Sequence, residues 1–306
     1  MVQRKSKLVE LVENKVRIFL TGGTGQFGKT FLDQTSGHVI FAPKRNELNL
    51  SKKVDVLEAL ESFMPDVVIN ASAWTDVPGA ELSPGKAYEA NLISVESLLF
   101  ATSKIQAKFI QLSTDYVFDG KSSEPYLEDS KKNPLSIYGE SKSQAEDLIL
   151  ENYLDSSYVI RTSWLYSKYR KNFVKTILRK LVLDHENIWV VEDQFGCPTL
   201  ADDLVQAIYT FCEDDFKTGI YHFANSGSTS WYSFAREIAE CSGEDPDRIL
   251  PIKSPVSGNF VQRPIFSALN TEKFQKVTGM KPALWEDSLR ESISGIRMSL
   301  ESEKSN

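Results

Sequence analysis

A chain of 306 residues is long enough for one large α/β domain, or for a nucleotide-binding domain with a smaller lobe. Its formal net charge of -7 argues against a general nucleic-acid binder, which needs a basic face, but leaves room for an anionic small molecule held by local arginines. No stretch approaches the ~20 apolar residues of a membrane span, and Cys197, Cys212 and Cys241 show neither paired spacing nor, with His38, His185 and His222, a zinc pattern; they read as reduced, mostly buried thiols suited to the cytoplasm.

Residues 1–15 alternate charge with short apolar pairs, lack the apolar run of a signal peptide, and read as an N-terminal extension. Residues 16–20 form a β-rich run that enters Thr21-Gly22-Gly23-Thr24-Gly25-Gln26-Phe27-Gly28, and a helical pattern follows. That order places backbone N–H groups at a helix start where they can cradle a pyrophosphate, although a plain tight turn uses glycines in the same way. A second strand, residues 38–42, ends in Pro43-Lys44-Arg45. An acidic residue there would grip the ribose of NAD, whereas Lys44 and Arg45 suit the 2′-phosphate of NADP; this favours NADPH, with NADH and a merely solvated basic turn left open.

After a helix over 52–63, residues 65–70 read as a parallel strand buried on both faces, and Ala71-Ser72-Ala73 would let a cofactor approach the backbone closely. One long helix is predicted over 85–106. The strand 108–112 then delivers Thr114 to the carboxyl edge of the sheet, where open α/β folds bind ligands. In the helix predicted over 136–152, Tyr138 and Lys142 stand four apart, on one face and roughly 6 Å from each other. A phenol beside a fixed ammonium ionises more easily, so the pair could exchange a proton with a substrate oxygen that Thr114 also hydrogen-bonds. With 11 tyrosines in the chain the spacing alone is weak, since about one such pair is expected by chance.

Alternation continues through a strand at 158–161, which makes residues 16–165 a doubly wound parallel sheet of Rossmann type. Beyond it the pattern is less regular: helices are expected over 172–184, 202–212 and 231–241, short strands over 188–191 and 220–223, and a loop-rich stretch over 251–264. Residues 166–300 read as a smaller substrate lobe with returns to the sheet, and 301–306 as a frayed tail.

Several motifs in order, from Thr21–Gly28 through Pro65-Asp-Val-Val-Ile-Asn-Ala71, Ser113-Thr-Asp-Tyr-Val-Phe-Asp-Gly120, Tyr138-Gly139 with Lys142, Arg161-Thr-Ser-Trp164 and Asp193-Gln-Phe-Gly-Cys-Pro-Thr199 to Arg263-Pro264, resemble the dTDP-4-dehydrorhamnose reductase family of the extended short-chain dehydrogenase/reductases. The resemblance implies reduction of the C4 ketone of a nucleotide-linked 4-keto-6-deoxy sugar by NADPH, with no metal in the chemistry. It makes Tyr138 the general acid, has Lys142 lower the pKa of that phenol while holding the nicotinamide ribose, and has Thr114 orient the carbonyl. Asp115 and Trp164 then touch the sugar. Gly25, Gln26 and Phe27 match the phosphate turn, Asn49 and Leu50 the adenine pocket, Ser72, Ala73 and Trp74 the wall near the ribose, and Leu112 contributes backbone; Gly22 and Gly28 join the phosphate turn on their glycine spacing, and Arg45 the 2′-phosphate on its charge.

Sugar-nucleotide dehydratases carry Asp then Glu after the threonine, whereas here Tyr116 follows Asp115, which favours reduction over dehydration. Two departures stand out. Pro78-Gly79 replaces an Asp and a variable residue in a loop beside the site, so the sugar can differ from the rhamnose precursor. Thr30 stands where some members have a metal-binding glutamate at a dimer contact, so neither that metal nor that dimer is expected, and a homodimer of another kind stays open. Two alternatives remain at this stage: a non-catalytic regulatory subunit like the β subunit of methionine adenosyltransferase, and a C4 epimerase with tightly held NAD.

Overall fold

The computed structural model describes residues 15–34, 37–183, 187–255 and 261–303. Most of the N-terminal extension and the last three residues lie outside that set. Arg17–Thr21 (β1), Val39–Phe41 (β2), Val67–Asn70 (β3), Lys108–Thr114 (β4), Ser157–Thr162 (β5) and Gly219–His222 (β6) form one sheet in the order β6-β5-β4-β3-β1-β2, and every neighbouring pair is parallel. The chain runs outward from β1 to β2 and then crosses back to β3, so the crevice expected at such a reversal falls over the glycine turn that follows β1.

Side-chain alternation explains the layers. Ile18, Leu20, Val67, Ile69, Ile110 and Ile160 point to one face and meet Phe27 and Phe31 of helix Gln26–Asp33 and Leu204, Ile208 and Phe211 of helix Ala201–Glu213. Phe19, Val68, Phe109 and Val159 point to the other, where helices Lys53–Phe63, Ser94–Ile105 and Ile137–Asn152 supply Leu60, Leu98 and Ile149. A separate apolar cluster joins helices Phe173–Leu183, Trp231–Ser242 and Trp285–Ser302 to a parallel strand pair, Ile188–Val191 with Ile249–Ile252. From the C-terminal half, helix Ala201–Glu213, β6 and Phe274 of helix Glu272–Thr278 join the large sheet and its core.

Three expectations need correction. The single helix over 85–106 is instead Pro84–Tyr88, a π-helical turn Glu89–Ile93, and Ser94–Ile105. The wider turn brings Asn91 inward, where its side chain bonds both backbone groups of Trp74, and periodicity alone does not show such an insertion. The loop-rich stretch begins later than read, because Pro251 and Ile252 complete a strand; proline is tolerated there because the pair has only two strands. Of the expected tail, residues 301 and 302 instead continue the last helix and Glu303 reaches Lys175 at 2.6 Å, while 304–306 lie outside the described residues.

Candidate functional site

A cleft of about 1760 Å³ runs along the carboxyl ends of β1 to β5. Its lining includes Gly22, Gly25, Gln26, Phe27 and Gly28 after β1, Arg45, Asn49 and Leu50 after β2, and Ser72, Ala73 and Trp74 after β3. Leu112, Thr114 and Asp115 on and after β4, Tyr138 and Lys142 on the following helix, and Trp164 after β5 line the same cleft. Lys44 does not; its ammonium stands 4.0 Å from Glu47.

The glycine turn is shaped for close approach. Gly22 has φ +72, and a Cβ on it would stand 2.5 Å from the Ala71 carbonyl oxygen. A Cβ on Gly28 would stand 2.2 Å from the Gly22 carbonyl oxygen, so glycine there lets the helix start sit directly on the turn. Helix Gln26–Asp33 begins at Gly25 with no side chain capping it. Its first N–H groups face the cleft without a built-in partner, as an anion cradle requires. These residues fit the diphosphate of a dinucleotide, and Arg45 fits a further phosphate beside β2.

At the other end, Ser136 caps helix Ile137–Asn152 by accepting from the Gly139 N–H at 3.2 Å, which fixes Tyr138 in the first turn. The start of this helix is also docked from outside, where the Ile137 N–H donates to Glu81 at 2.7 Å. Glu81 belongs to the short helix Val77–Leu82, capped by Asp76; the predicted loop around Pro78-Gly79 is therefore helical. Thr114 ends β4, accepts from the Tyr116 N–H at 3.2 Å and donates to Asp115 Oδ1 at 3.1 Å, while Ser267 donates to Asp115 Oδ2 at 2.6 Å. Tyr116 packs edge-on against Tyr138, with ring centroids 5.7 Å apart.

Burial dominates the electrostatics. It pushes the Tyr138 phenol upward, with the Thr114 hydroxyl easing it back and Asp115 pushing it further. The phenol is therefore raised by burial, opposite in direction to the easing expected from a neighbouring Lys142. Lys142 itself is pushed down to about 8 by burial, against the pull of Glu146, and its ammonium donates to the Leu112 carbonyl at 2.7 Å. Asp115 is raised to about 6, again by burial, with the Ser267 and Thr114 hydroxyls opposing.

Several contributors were given no place in the site by the sequence. Asn91 bonds the Trp74 backbone and donates to Ser141 Oγ at 2.9 Å, and Ser141 in turn donates to the Tyr138 carbonyl at 2.8 Å. Trp231 stacks on Trp164 at 3.5 Å and 5°, with Trp164 held at φ +47. The cleft is also lined by Lys168, Arg170, Lys171, Lys175, Arg179 and Lys180, a basic run visible in the sequence but assigned no role there. Asp193 and Gln194 bond Ser254 and lie off the cleft, and Thr30 donates to the Gln26 carbonyl. Among the described residues no helix is long and apolar enough to cross a membrane.

The family described as "RmlD substrate binding domain" matches residues 16–298. The spore coat polysaccharide biosynthesis protein SpsK of Bacillus subtilis (strain 168) is 36% identical over 279 residues, which is 90% of this chain and 96% of that protein. The dTDP-4-dehydrorhamnose reductase of Escherichia coli (strain K12) is 33% identical over 295 residues, 92% of this chain and 98% of that one. Among solved structures, a dTDP-4-dehydrorhamnose reductase from Bacillus anthracis str. Ames in complex with NADP superposes with a TM-score of 0.86 at 31% identity, covering 92% of this chain and 98% of the other. A UDP-glucose 4-epimerase from Thermotoga maritima, 20% identical, reaches a TM-score of 0.79 over 93% of this chain and 99% of its own, and so shares the fold.

Proposed function

This chain belongs to the dTDP-4-dehydrorhamnose reductase family, and on that footing we propose that it reduces the C4 ketone of a nucleotide-linked 4-keto-6-deoxy sugar with NADPH. The observation that carries the proposal is one cleft lined at one end by an uncapped helix start on a glycine turn and at the other by Thr114, Tyr138 and Lys142. Bound NADPH supplies hydride to the carbonyl carbon. The protein does the rest. Gly22, Gly25, Gln26, Phe27 and Gly28 hold the diphosphate, and Arg45 meets the 2′-phosphate. Asn49 and Leu50 flank the adenine, while Ser72, Ala73, Trp74 and the Leu112 backbone wall the ribose and nicotinamide.

As negative charge develops on the substrate oxygen, the Thr114 hydroxyl turns from Asp115 to donate to it, and Tyr138 delivers the proton. A phenol that burial keeps protonated is in the form a general acid needs. Lys142 holds a positive charge next to the reacting centre, and Asp115 and Trp164 position the sugar. Tyr116, packed against Tyr138, occupies the position after Asp115 where a dehydratase carries its second carboxylate. Full-length similarity to named reductases favours this reading over a regulatory subunit or an epimerase.

The test follows absorbance of reduced nicotinamide with a dTDP-4-keto-6-deoxyhexose. Wild type is expected to turn over and Tyr138→Phe to lose about 10²- to 10⁴-fold in kcat at similar KM. Absence of turnover in wild type, or equal rates in both, would reject the proposal.

A further inference from the structure

Beneath the cleft lies a carboxylate to which the mechanism above gives no part. Glu146 is fully buried, one helical turn beyond Lys142 on the same helix. Its Oε1 accepts from the Ser113 hydroxyl at 2.5 Å and from Arg161 Nε at 2.9 Å, and its Oε2 accepts from the second Arg161 nitrogen at 2.7 Å, with Lys132 Nζ at 3.5 Å. Arg161 cannot turn elsewhere. It is 1% exposed, and its remaining nitrogen is engaged at 3.2 Å by His222 and at 3.1 Å by the Glu128 carbonyl. Two cations thus hold one carboxylate, Arg161 from β5 and Lys132 from the loop before the helix, and the same carboxylate attracts the ammonium of Lys142, 3% exposed, from one helical turn away.

The surroundings of Lys142 offer little other compensation. From β4 it meets the neutral Leu112 carbonyl, and Ser113 is already bonded to Glu146. Asp115, in the turn after β4, is tied to Ser267 and Thr114, and the π-helical turn presents the uncharged Asn91 to the neighbouring Ser141, while its Glu89, which also lines the cleft, makes no ion pair with Lys142 among the described residues. On its own helix Tyr138 is the only other titratable group of the cleft. Neutralising Glu146 would therefore remove an attraction and also leave Arg161 and Lys132 to repel the ammonium.

We propose that Glu146 is a positioning residue, offsetting Arg161 and Lys132 from beneath the cleft so that Lys142 keeps its charge where substrate and cofactor meet. For its consequence in turnover this rests on the reductase reading, but the state of the ammonium can be measured without it. The experiment titrates the ¹³Cε resonance of Lys142 in the full, ligand-free chain, assigned by its loss in Lys142→Arg. Glu146→Gln is expected to lower the midpoint by at least about one pH unit, and Glu146→Asp to restore most of it. In turnover the alkaline limb of kcat should move the same way in Glu146→Gln and vanish when Lys142→Arg is added.

Because Glu146→Gln leaves Arg161 buried without its partner, the paired variant Glu146→Gln with Arg161→Met is measured beside it. There a smaller fall in the midpoint is expected, since a repulsion leaves together with the attraction. An unchanged midpoint in a folded Glu146→Gln chain, or a fall in the paired variant as large as in Glu146→Gln alone, would overturn the proposal and leave Glu146 as a structural partner of Arg161. Loss of all wild-type turnover would instead count against the reductase reading and leave the titration intact.

Discussion

Asp115 shows how a single side chain can couple the site to stability. Burial raises its carboxyl from 3.8 to about 6, so the folded chain holds this proton more tightly than the unfolded one. The resulting stability is complete below pH ~4 and is lost as pH rises through about 6, an effect on the order of 3 kcal/mol. Urea unfolding of the ligand-free protein between pH 4 and 7 should show this loss, and Asp115→Asn should flatten it; an unchanged slope would mean that solvent reaches the carboxylate. Arg45 is a simpler case, an exposed guanidinium on the cleft wall beside β2. Arg45→Ala should raise KM for NADPH at least ten-fold while changing that for NADH little, and equal losses would place the 2′-phosphate elsewhere.

Among the elements, the start of helix Gln26–Asp33 and the π-helical turn have the sharpest consequences. A methyl group at position 28 would drive into the Gly22 carbonyl and lift the helix start from the turn. Gly28→Ala should therefore weaken NADPH binding by two orders of magnitude or more, read by fluorescence titration, and preserved affinity would mean that the turn does not hold the phosphates. Asn91 spans two elements, bonding the Trp74 backbone after β3 and Ser141 of the Tyr138 helix. Asn91→Ala removes three hydrogen bonds, the one to Ser141 fully buried, and should cost about 2–4 kcal/mol by urea titration. These elements also show what the sequence conceals: the residues of an apparently unbroken helix were legible, but the extra residue that rotates Asn91 inward was not, because insertion changes phase without changing composition.

For the molecule as a whole, a chain of net charge -7 gathers Arg45, Lys168, Arg170, Lys171, Arg179 and Lys180 around one cleft. Association of NADPH and of a nucleotide sugar should accordingly slow as salt rises from 0.05 to 0.5 M, by about ten-fold in stopped flow, whereas a rate independent of salt would mean that these cations do not steer the ligands. Since the cleft runs from the glycine turn to Trp164 and Trp231, ligands there touch both the large sheet and the segment that follows it.

By itself the sequence determined the parallel sheet, the turn after β1 and part of the cleft lining, because apolar alternation, glycine spacing and a Tyr–Lys pair one helical turn apart are local signals. Only the tertiary structure decided the ionisation of those residues and the identity of their supports. Burial raised Tyr138 against the expected influence of Lys142, and Arg161, Ser267 and Asn91 came from other elements of the fold to support Glu146, Asp115 and Ser141. Charge and hydrogen-bond energies depend on what surrounds a group after folding, and no spacing along the chain encodes that surrounding.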